Sequence, residues 1–584
     1  MNLYHNSRSA ACRVPQGAVK AGEEVTLRIL GAKDAVSIHL RLWDGQVHYI
    51  PMDRVDENIF ETVVRTKKPG LIWYDFRASD KDGHEHAYGN APDCLGGEGR
   101  EQDCPPAFQI TVYDPLWRTP EYMHHGIMYQ IFPDRFHRSR IPEDPKDGRF
   151  IHKNWDDRPI LMPEGKYDNT ARDFFGGDLK GIEEKLEDLR DLGVTVIYFN
   201  PIFQCRSNHR YDTGDYTKVD PLLGTQEDFD HFCEAAKQKG IRVILDGVFS
   251  HTGDDSIYFN RFGTYDSVGA YQSKESPYAS WFTFEEFPDK FKCWWGIDTL
   301  PTVIKGNPDY TKFICGEDGV ARKWLRDGAA GWRLDVADEL PMSFLRTLKR
   351  AVRDEKHDAL LLGEVWEDAS HKEAYNEVRC YCTGDTLDSV MNYPLREALI
   401  HFFTGKTNAH DLVRLIESQQ ENYPAPFHYA LMNLLGSHDR PRIINVLVGK
   451  DFEDIPYKER HTGKLSPGEL ALGKERFLKM LKIICALPGT PCVYYGDEAG
   501  LYGGSDPYCR GTYPWGHEDT VLRDQVKEII AERRNSPALR TGKLSVMAMD
   551  NDTIHIIRTI EGGKDVFGKP YPNETKVVVV SRGA

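Results

Sequence analysis

Residues 1–115 carry short runs in which apolar and polar positions alternate. A period of two is typical of strands that bury one face. Clusters of Gly, Asp and Pro separate the runs, which is typical of a sandwich. The clearest runs are Glu24–Leu30, Val36–Trp43, Ile59–Val64 and Leu71–Arg77. We therefore predict an N-terminal β-sandwich over 1–115, with a boundary at Asp114-Pro115.

From about residue 121 the pattern changes to apolar runs separated by amphipathic helices. Helices are predicted over 178–192, after Thr225 (with Asp228 completing a capping box) as far as residue 239, and over Met342–Glu355. The runs that predict strands are Ile127–Phe132, Val194–Phe199, Ile241–Phe249, Gly331–Val336, Ala359–Val365, Leu387–Asn392, Ala430–Leu435 and Pro491–Tyr495. Eight strands alternating with helices predict a closed (β/α)₈ TIM barrel over 121–515.

Two further segments complete the predicted multidomain fold. About 80 residues rich in Phe, Trp and Tyr separate the third strand from the fourth, too many for a bare loop. We interpret 252–325 as a small domain inserted after strand 3, over the barrel mouth. Alternation returns at Leu544–Met549, Thr553–Thr559 and Lys576–Val580. It predicts a short C-terminal β module over 540–584, which is either small or truncated.

Charge and composition exclude several classes of function. The formal net charge of −16 opposes binding to the phosphates of nucleic acids. No run of about 18 apolar residues predicts a membrane span, and the first residues lack the apolar core of an export signal. The twelve cysteines are scattered, which is typical of a reducing compartment. We therefore expect a cytoplasmic protein without nucleic-acid or membrane partners.

The fourth predicted strand carries the first candidate chemistry. Residues two apart in a strand point to the same side, so Arg333 and Asp335 share a face. A guanidinium beside a carboxylate favours the ionised carboxylate, which can act as a nucleophile. The alternative is a structural ion pair at the end of a strand, because such pairs also perturb pKa values. This stretch alone does not decide between them.

Other polar residues follow the predicted strands at the end where active sites of such barrels lie. They are Tyr211 and Asp212 after the second strand, Asp246 and His251 at the third, Glu364 and Trp366 at the fifth, and His438 and Asp439 at the seventh. Three carboxylates, Asp335, Glu364 and Asp439, converge on one rim with His251 and His438, which favours a catalytic site over unrelated structural residues.

This set resembles the α-amylase family of glycoside hydrolases, and the resemblance covers about 121–515. The motifs occur in family order as Asp246 to His251, Arg333-x-Asp335, Glu364 and His438-Asp439. Further motifs are similar to the neopullulanase, cyclomaltodextrinase and maltogenic amylase branch, which also has an N-terminal sandwich. These are Tyr129–Pro133, Tyr211–Thr213, Glu364–Trp366, Trp294–Gly296, Thr299–Pro301, Gly496–Glu498 and Asp506-Pro507 with Arg510.

The resemblance implies a retaining hydrolase of α-1,4-glucosidic bonds in maltooligosaccharides, cyclodextrins or pullulan, with transglycosylation as a side reaction. It implies Asp335 as nucleophile, Glu364 as general acid/base and Asp439 as the carboxylate that grips the sugar hydroxyls. The substrate-binding residues it implies are Tyr211, Asp212, His251, Arg333, Trp366, His438, Asp506 and Arg510. It also implies a homodimer, in which the N-terminal module, similar to a carbohydrate-binding module, covers the partner's barrel mouth.

Three departures from the family pattern limit what is carried over. Ser250 stands where Asn is common, and His137–Arg140 replaces an Asn/Asp-rich calcium loop. Two arginines are poor neighbours for a cation, so we expect no cofactor and no metal, calcium included. Glu367 replaces a His often found after the Trp, which leaves the acceptor-side preference open. Two alternative functions are a dedicated α-glucan transferase or isomerase, and a non-catalytic sugar-binding homologue, which would be expected to lose one of the three carboxylates.

Overall fold

The computed structural model describes residues 1–583 except 144, 146, 161–170 and 451–462. Its N-terminal part is a sandwich of two mainly antiparallel sheets. One sheet contains Arg13–Val14, Glu24–Ile29, Asp53–Asp56 and Ile59–Arg65. The other contains Val19–Lys20, Ala35–Trp43, Val47–Pro51, Gly70–Asp80, Glu85–Gly89, Arg100–Glu101 and Phe108–Tyr113. The four predicted strands are confirmed, with ends moved by up to three residues.

Alternating side chains of both sheets fill the core of the sandwich, among them Leu27, Leu40 and Phe76. Its N-terminal segment is fixed to the barrel by charge. Arg8 donates to Glu417 at 2.7 Å and to Glu421 at 2.8 Å. The sandwich therefore sits beside the barrel on helix Ala409–Asn422.

Eight parallel strands form the predicted barrel. In chain order they are Met128–Ile131, Val196–Phe199, Arg242–Gly247, Gly331–Leu334, Leu360–Gly363, Ser389–Val390, Met432–Leu434 and Thr490–Tyr494. Each pairs with its neighbours in the order 6-5-4-3-2-1-8-7. A single bridge between Met391 and Met432 closes the gap between the sixth and seventh strands. The strands are buried almost throughout, as expected for a parallel sheet covered on both faces.

Helices cover the outside of the barrel. The main ones are Leu179–Glu184, Leu186–Leu192, Gln226–Gln238, Pro308–Cys315, Val320–Arg326, Met342–Glu355, Tyr393–Phe403, Ala409–Asn422, Pro467–Ala486 and Thr520–Asn535. The capping box of Thr225 and Asp228 and the helix Met342–Glu355 are confirmed. The helix predicted over 178–192 is interrupted at Lys185, whose ψ of 1° breaks the helical path.

The long connection after the third strand holds small antiparallel hairpins over the barrel mouth. They are Phe284–Glu286 with Lys290–Phe291, and Cys293–Trp294 with Ile297–Pro301. The predicted insert of 252–325 also includes Pro308–Cys315 and all but the last residue of Val320–Arg326. Both helices pack against Met342–Glu355 and so belong to the outer layer of the barrel.

The C-terminal module is a three-stranded antiparallel sheet of Lys543–Ala548, Thr553–Ile560 and Glu574–Ser581. It packs against Ala409–Asn422 and Pro467–Ala486. In the part of the chain that the structure describes, we find no helix with the length and apolar character needed to cross a membrane.

Candidate active site

The buried guanidinium of Arg333 is the centre of the site. Its Nη1 donates to Asp335 Oδ1 at 3.0 Å and to both oxygens of Asp246, at 2.9 and 3.1 Å. Its Nη2 donates to Glu364 Oε2 at 2.7 Å. The third, fourth and fifth strands deliver these side chains, so one cation holds together the ends of three adjacent strands.

Asp246 lies deepest in this cluster, 1% exposed. Its Oδ2 accepts hydrogen bonds from the hydroxyls of Tyr198 at 2.7 Å and Tyr211 at 2.8 Å. Burial and the neighbouring carboxylate keep the pKa of both phenols well above 10, so both hydroxyls are donors. Asp246 is therefore a buried anchor that orients Arg333 and Tyr211.

Glu364 is held by three donors. Besides Arg333, the backbone N–H of Val336 donates to Oε2 at 2.8 Å and the indole N–H of Trp366 donates to Oε1 at 3.0 Å. The fourth strand ends at Leu334, two residues earlier than predicted, and Val336 has φ 38° and ψ 66°. A β-branched residue in this left-handed region is strained. The turn aims the amide of Val336 at the carboxyl group.

Burial raises the pKa of all three clustered carboxyls. For Glu364, Arg333 opposes this effect and the charge of Asp439 adds to it. The pKa of Asp335 is raised well above its ordinary value by burial, with Arg333 opposing and Glu364, Asp246 and Asp439 adding. One guanidinium compensates three carboxylates only in part. The prediction that Arg333 favours the ionised form of Asp335 gives only part of the balance, because burial and the neighbouring carboxylates outweigh Arg333 and raise the pKa of Asp335.

Two histidines lie above the cluster in neutral form. Burial lowers the pKa of His251 to about 3 and that of His438 well below 6.5. The Tyr211 hydroxyl donates a hydrogen bond to Asp246, so it is the acceptor in its 2.7 Å contact with His438. His438 Nε2–H is the donor in that contact. His438 Nδ1 then accepts from the amide of Gln130 at 2.9 Å. The Tyr211 and His438 rings stack with centroids 5.3 Å apart.

The other predicted site residues lie around the rim of this cluster. Asp439 Oδ1 lies 3.2 Å from His438 Nε2 and 3.7 Å from Arg510 Nη2. Arg510 also contacts Asp506 at 3.0 Å. Asp212 accepts from Arg206 N–H at 3.3 Å and from the Ser207 hydroxyl. The cation and the hydroxyl thus fix the acidic groups at the rim.

These side chains line one cavity of about 980 Å³. Ten of the eleven predicted site residues face it, and Arg333 lies beneath them. The structure thus brings the predicted set together. A volume of this size accommodates several sugar rings.

The loop after the first strand contains its own cation. Arg138 donates to the carbonyl oxygens of His152 and Lys153, both at 2.9 Å, and of Phe175 at 3.1 Å. Asp178, a potential calcium ligand, instead accepts from Ser139 and caps the helix at Gly181 N–H, 2.6 Å away. Among the described residues, the one group of three clustered metal-type ligands is Asp80, Asp82 and His84, on the sandwich surface.

Sequence reasoning missed some of the residues that hold the site. Tyr198 and Gln130 lie inside strands, where the pattern shows only burial. Val336 acts through its backbone, which no side-chain pattern reveals. Asp246 carried a signal, since it stands in the same strand-end set as His251.

Comparison with known proteins decides the family. A model of the alpha amylase catalytic domain matches residues 130–544. This chain belongs to the α-amylase family of glycoside hydrolases. The matched span contains every barrel strand except part of the first.

Individual members of the family are similar over most of the chain. An amylopullulanase of Thermoanaerobacterium thermosulfurigenes is 39% identical, covering 100% of this chain and 33% of that protein. A cyclomaltodextrinase of Geobacillus thermopakistaniensis is 34% identical, covering 80% and 70%. The solved cyclic alpha-maltosyl-(1→6)-maltose hydrolase of Arthrobacter globiformis is 31% identical, covers 80% and 92%, and has a TM-score of 0.66. The chain spans 33% to 48% of the length of the amylopullulanases it matches.

Proposed function

We propose that this enzyme is a retaining hydrolase of α-1,4-glucosidic bonds in maltooligosaccharides, cyclodextrins or pullulan, with transglycosylation as a side reaction. The observation that carries the proposal is the single guanidinium that holds Asp335 and Glu364 side by side beneath the cavity. Two carboxyls that flank the scissile bond at close range are the arrangement of a double displacement. The names of the relatives support α-glucans as the substrate class.

In this mechanism Asp335 attacks the anomeric carbon. Arg333 occupies Oδ1, and Oδ2 accepts no hydrogen bond from the described residues, so Oδ2 is the attacking oxygen. Glu364 protonates the departing glycosidic oxygen as the C–O bond breaks. Water then attacks the glycosyl–Asp335 ester, gives its proton to Glu364 and releases the sugar with its α configuration.

The hydrogen bonds support one oxygen of Glu364 as the carrier of the transferable proton. Oε2 already accepts from Arg333 and Val336, whereas among the described residues Oε1 accepts from Trp366 alone. The raised pKa values of Glu364 and Asp335 favour a cluster that holds the proton a general acid requires. Oε1 is therefore the oxygen that delivers the proton.

We further propose that metal is dispensable, because Arg138 already supplies a cation to the carbonyl oxygens of the loop. The location we propose is the cytoplasm. It is supported by twelve cysteines that are all free thiols, eight of them buried, and by a relative named intracellular maltogenic amylase.

A homodimer is the assembly we propose. Support comes from one face of the sandwich, where Trp43, Val47 and Tyr49 are 40%, 55% and 62% exposed. Trp43 and Val47 are cross-strand partners, so these apolar side chains form one patch. A second copy of the chain, related by a two-fold axis, would bury this patch.

The proposed activity is tested with γ-cyclodextrin, pullulan, starch and maltotriose, followed by product chromatography and proton NMR of the first-formed sugar. We expect an α-anomeric product. The matched variants are Asp335→Asn and Glu364→Gln, with Glu373→Gln as control, because Glu373 also lines the cavity and is exposed. An initial β-product, or no activity on any of the four substrates, contradicts the proposal.

A further inference from the structure

Two β-hairpins at the mouth of the cavity carry an aromatic residue at the tip. One turn consists of Trp295 and Gly296, with φ of 50° and 81°, and the other of Tyr375 and Asn376, with φ of 53° and 62°. Hairpin turns with two left-handed residues favour Asn and Gly. A tryptophan or tyrosine there is strained. Both rings nevertheless line the cavity, 77% and 61% exposed.

Strand pairing and a buried arginine hold the hairpin that carries Tyr375 in place. It pairs Lys372–Ala374 with Glu377–Arg379. Arg379, which is buried, donates to the carbonyl oxygens of Asp338 at 2.8 Å and Leu340 at 2.9 Å. Its guanidinium carbon lies 5.5 Å from the centre of the Tyr375 ring. The Tyr375 hydroxyl donates to Glu339, so ring and hydroxyl are both positioned.

Trp366, in the same loop after the fifth strand, does not offer a free ring face. It stacks on Tyr393 with centroids 3.8 Å apart, and the guanidinium of Arg440 lies 4.3 Å from its ring centre. Its N–H is used by Glu364. The family resemblance implied Trp366 as a substrate-binding residue. In this loop it is Tyr375 that presents aromatic surface to the cavity.

The position of Tyr375 indicates on which side of the scissile bond it lies. The general acid must lie next to the leaving group, and Glu364 begins the loop that leads to this hairpin. The loop therefore forms the wall on the leaving-group side. The same space holds any sugar that later attacks the glycosyl–enzyme.

We propose that Tyr375 is a stacking platform for an acceptor-side sugar ring and sets how often the glycosyl–enzyme is captured by a sugar instead of water. This inference rests on the proposed function. In the transfer, a hydroxyl of the acceptor gives its proton to Glu364 and bonds to the anomeric carbon, while the bond to Asp335 breaks. A ring held on Tyr375 raises the local concentration of that hydroxyl.

The test compares Tyr375→Asn, Tyr375→Phe and wild type on maltotriose, with and without added maltose as acceptor. Asn removes the ring and suits the left-handed turn, so folding is preserved and the melting temperature does not fall. We expect the ratio of transfer to hydrolysis products to drop roughly three- to tenfold, the size of one aromatic contact. KM should rise by a similar factor. Tyr375→Phe keeps the ring, and we expect it to behave as wild type.

Val378→Ala is the matched control. Val378 lies on the same hairpin, 51% exposed, but does not line the cavity. An unchanged transfer ratio and KM in Tyr375→Asn would overturn the inference while leaving the hydrolase intact. A wild-type enzyme inactive on every α-glucan would instead remove the proposed function.

Discussion

At the scale of single residues, the site combines one buried guanidinium with three carboxyl groups. Arg333 faces Asp246, Asp335 and Glu364 with no exposed surface of its own. A group whose pKa is raised by folding stabilises the protein in its protonated form. That contribution is present at low pH and lost as the pH rises through the folded pKa. The ionised cluster that catalysis uses is therefore a source of instability at neutral pH.

Glu364→Gln is expected to lose activity by at least about 10²–10⁴-fold, the usual share of general acid–base catalysis. The neutral amide also removes the share of negative charge that wild-type Glu364 still carries at pH 7, so its melting temperature at that pH should equal or exceed that of wild type. The difference should shrink on acidification, because wild-type Glu364 then becomes protonated. Turnover on a maltooligosaccharide and thermal melts at several pH values measure both effects. Near-normal turnover would exclude Glu364 as the acid.

Asp439→Asn should move the pH profile of kcat/KM towards lower pH. The charge of Asp439 raises the pKa of both Asp335 and Glu364. Its removal lowers both, so the acid limb and the alkaline limb shift in the same direction. The two limbs report the coupled pair rather than either residue. An alkaline shift of the residual activity would contradict this account.

At the scale of elements, the strand pattern was sufficient for the barrel, and the turns were not. Continuous apolar runs such as Ala359–Val365 are typical of strands that a parallel sheet buries on both faces. All eight strands could therefore be predicted from the apolar pattern alone. The fourth strand ends at Leu334, and Val336 beyond it adopts a strained left-handed conformation. In this conformation the backbone amide of Val336 points at Glu364. The Tyr375 hairpin has no apolar periodicity and no Gly, and Asn376 alone favours its turn, so the sequence signal was too weak to predict it.

The loop after the first strand yields a prediction on metals. Because Arg138 bonds the carbonyl oxygens of three residues, chelator treatment should leave activity and melting temperature unchanged. Arg138→Gln should destabilise the fold by about 1.5–3 kcal/mol, the net worth of a charged hydrogen bond. Arg140→Gln, in the same segment, is the control. Loss of activity with chelator and recovery with calcium would show a metal site elsewhere.

At the scale of the whole molecule, the sandwich and barrel are joined through charged contacts such as Arg8 with Glu417 and Glu421. The barrel and its strand-end residues followed from pattern and resemblance. The homodimer was implied by the resemblance alone and stays a prediction, because exposed apolar side chains on a strand give the same pattern whether a partner or water covers them. Trp43, Val47 and Tyr49 form the exposed face that a partner would cover in a dimer and that water would cover in a monomer.

The proposed dimer is tested with Val47→Lys combined with Tyr49→Lys. We expect light scattering to show a shift from dimer to monomer. The variant should also gain activity on starch relative to γ-cyclodextrin, because the partner no longer narrows the cleft. Val63→Lys is the matched control, since Val63 is 44% exposed on the other sheet. A wild-type protein that is already a monomer excludes the assembly.

The closure of the barrel has a consequence for its breathing motions. Between the sixth and seventh strands one backbone bridge, Met391 to Met432, replaces a full ladder. Side chains complete the seam, where Asn392 donates to Asn433 at 2.9 Å. Regions with few backbone hydrogen bonds open at lower free energy, so deuterium should enter here before the strands on the opposite side of the barrel. The enzyme is thus expected to have a preferred seam of opening, bordered on one side by the strand that leads to His438.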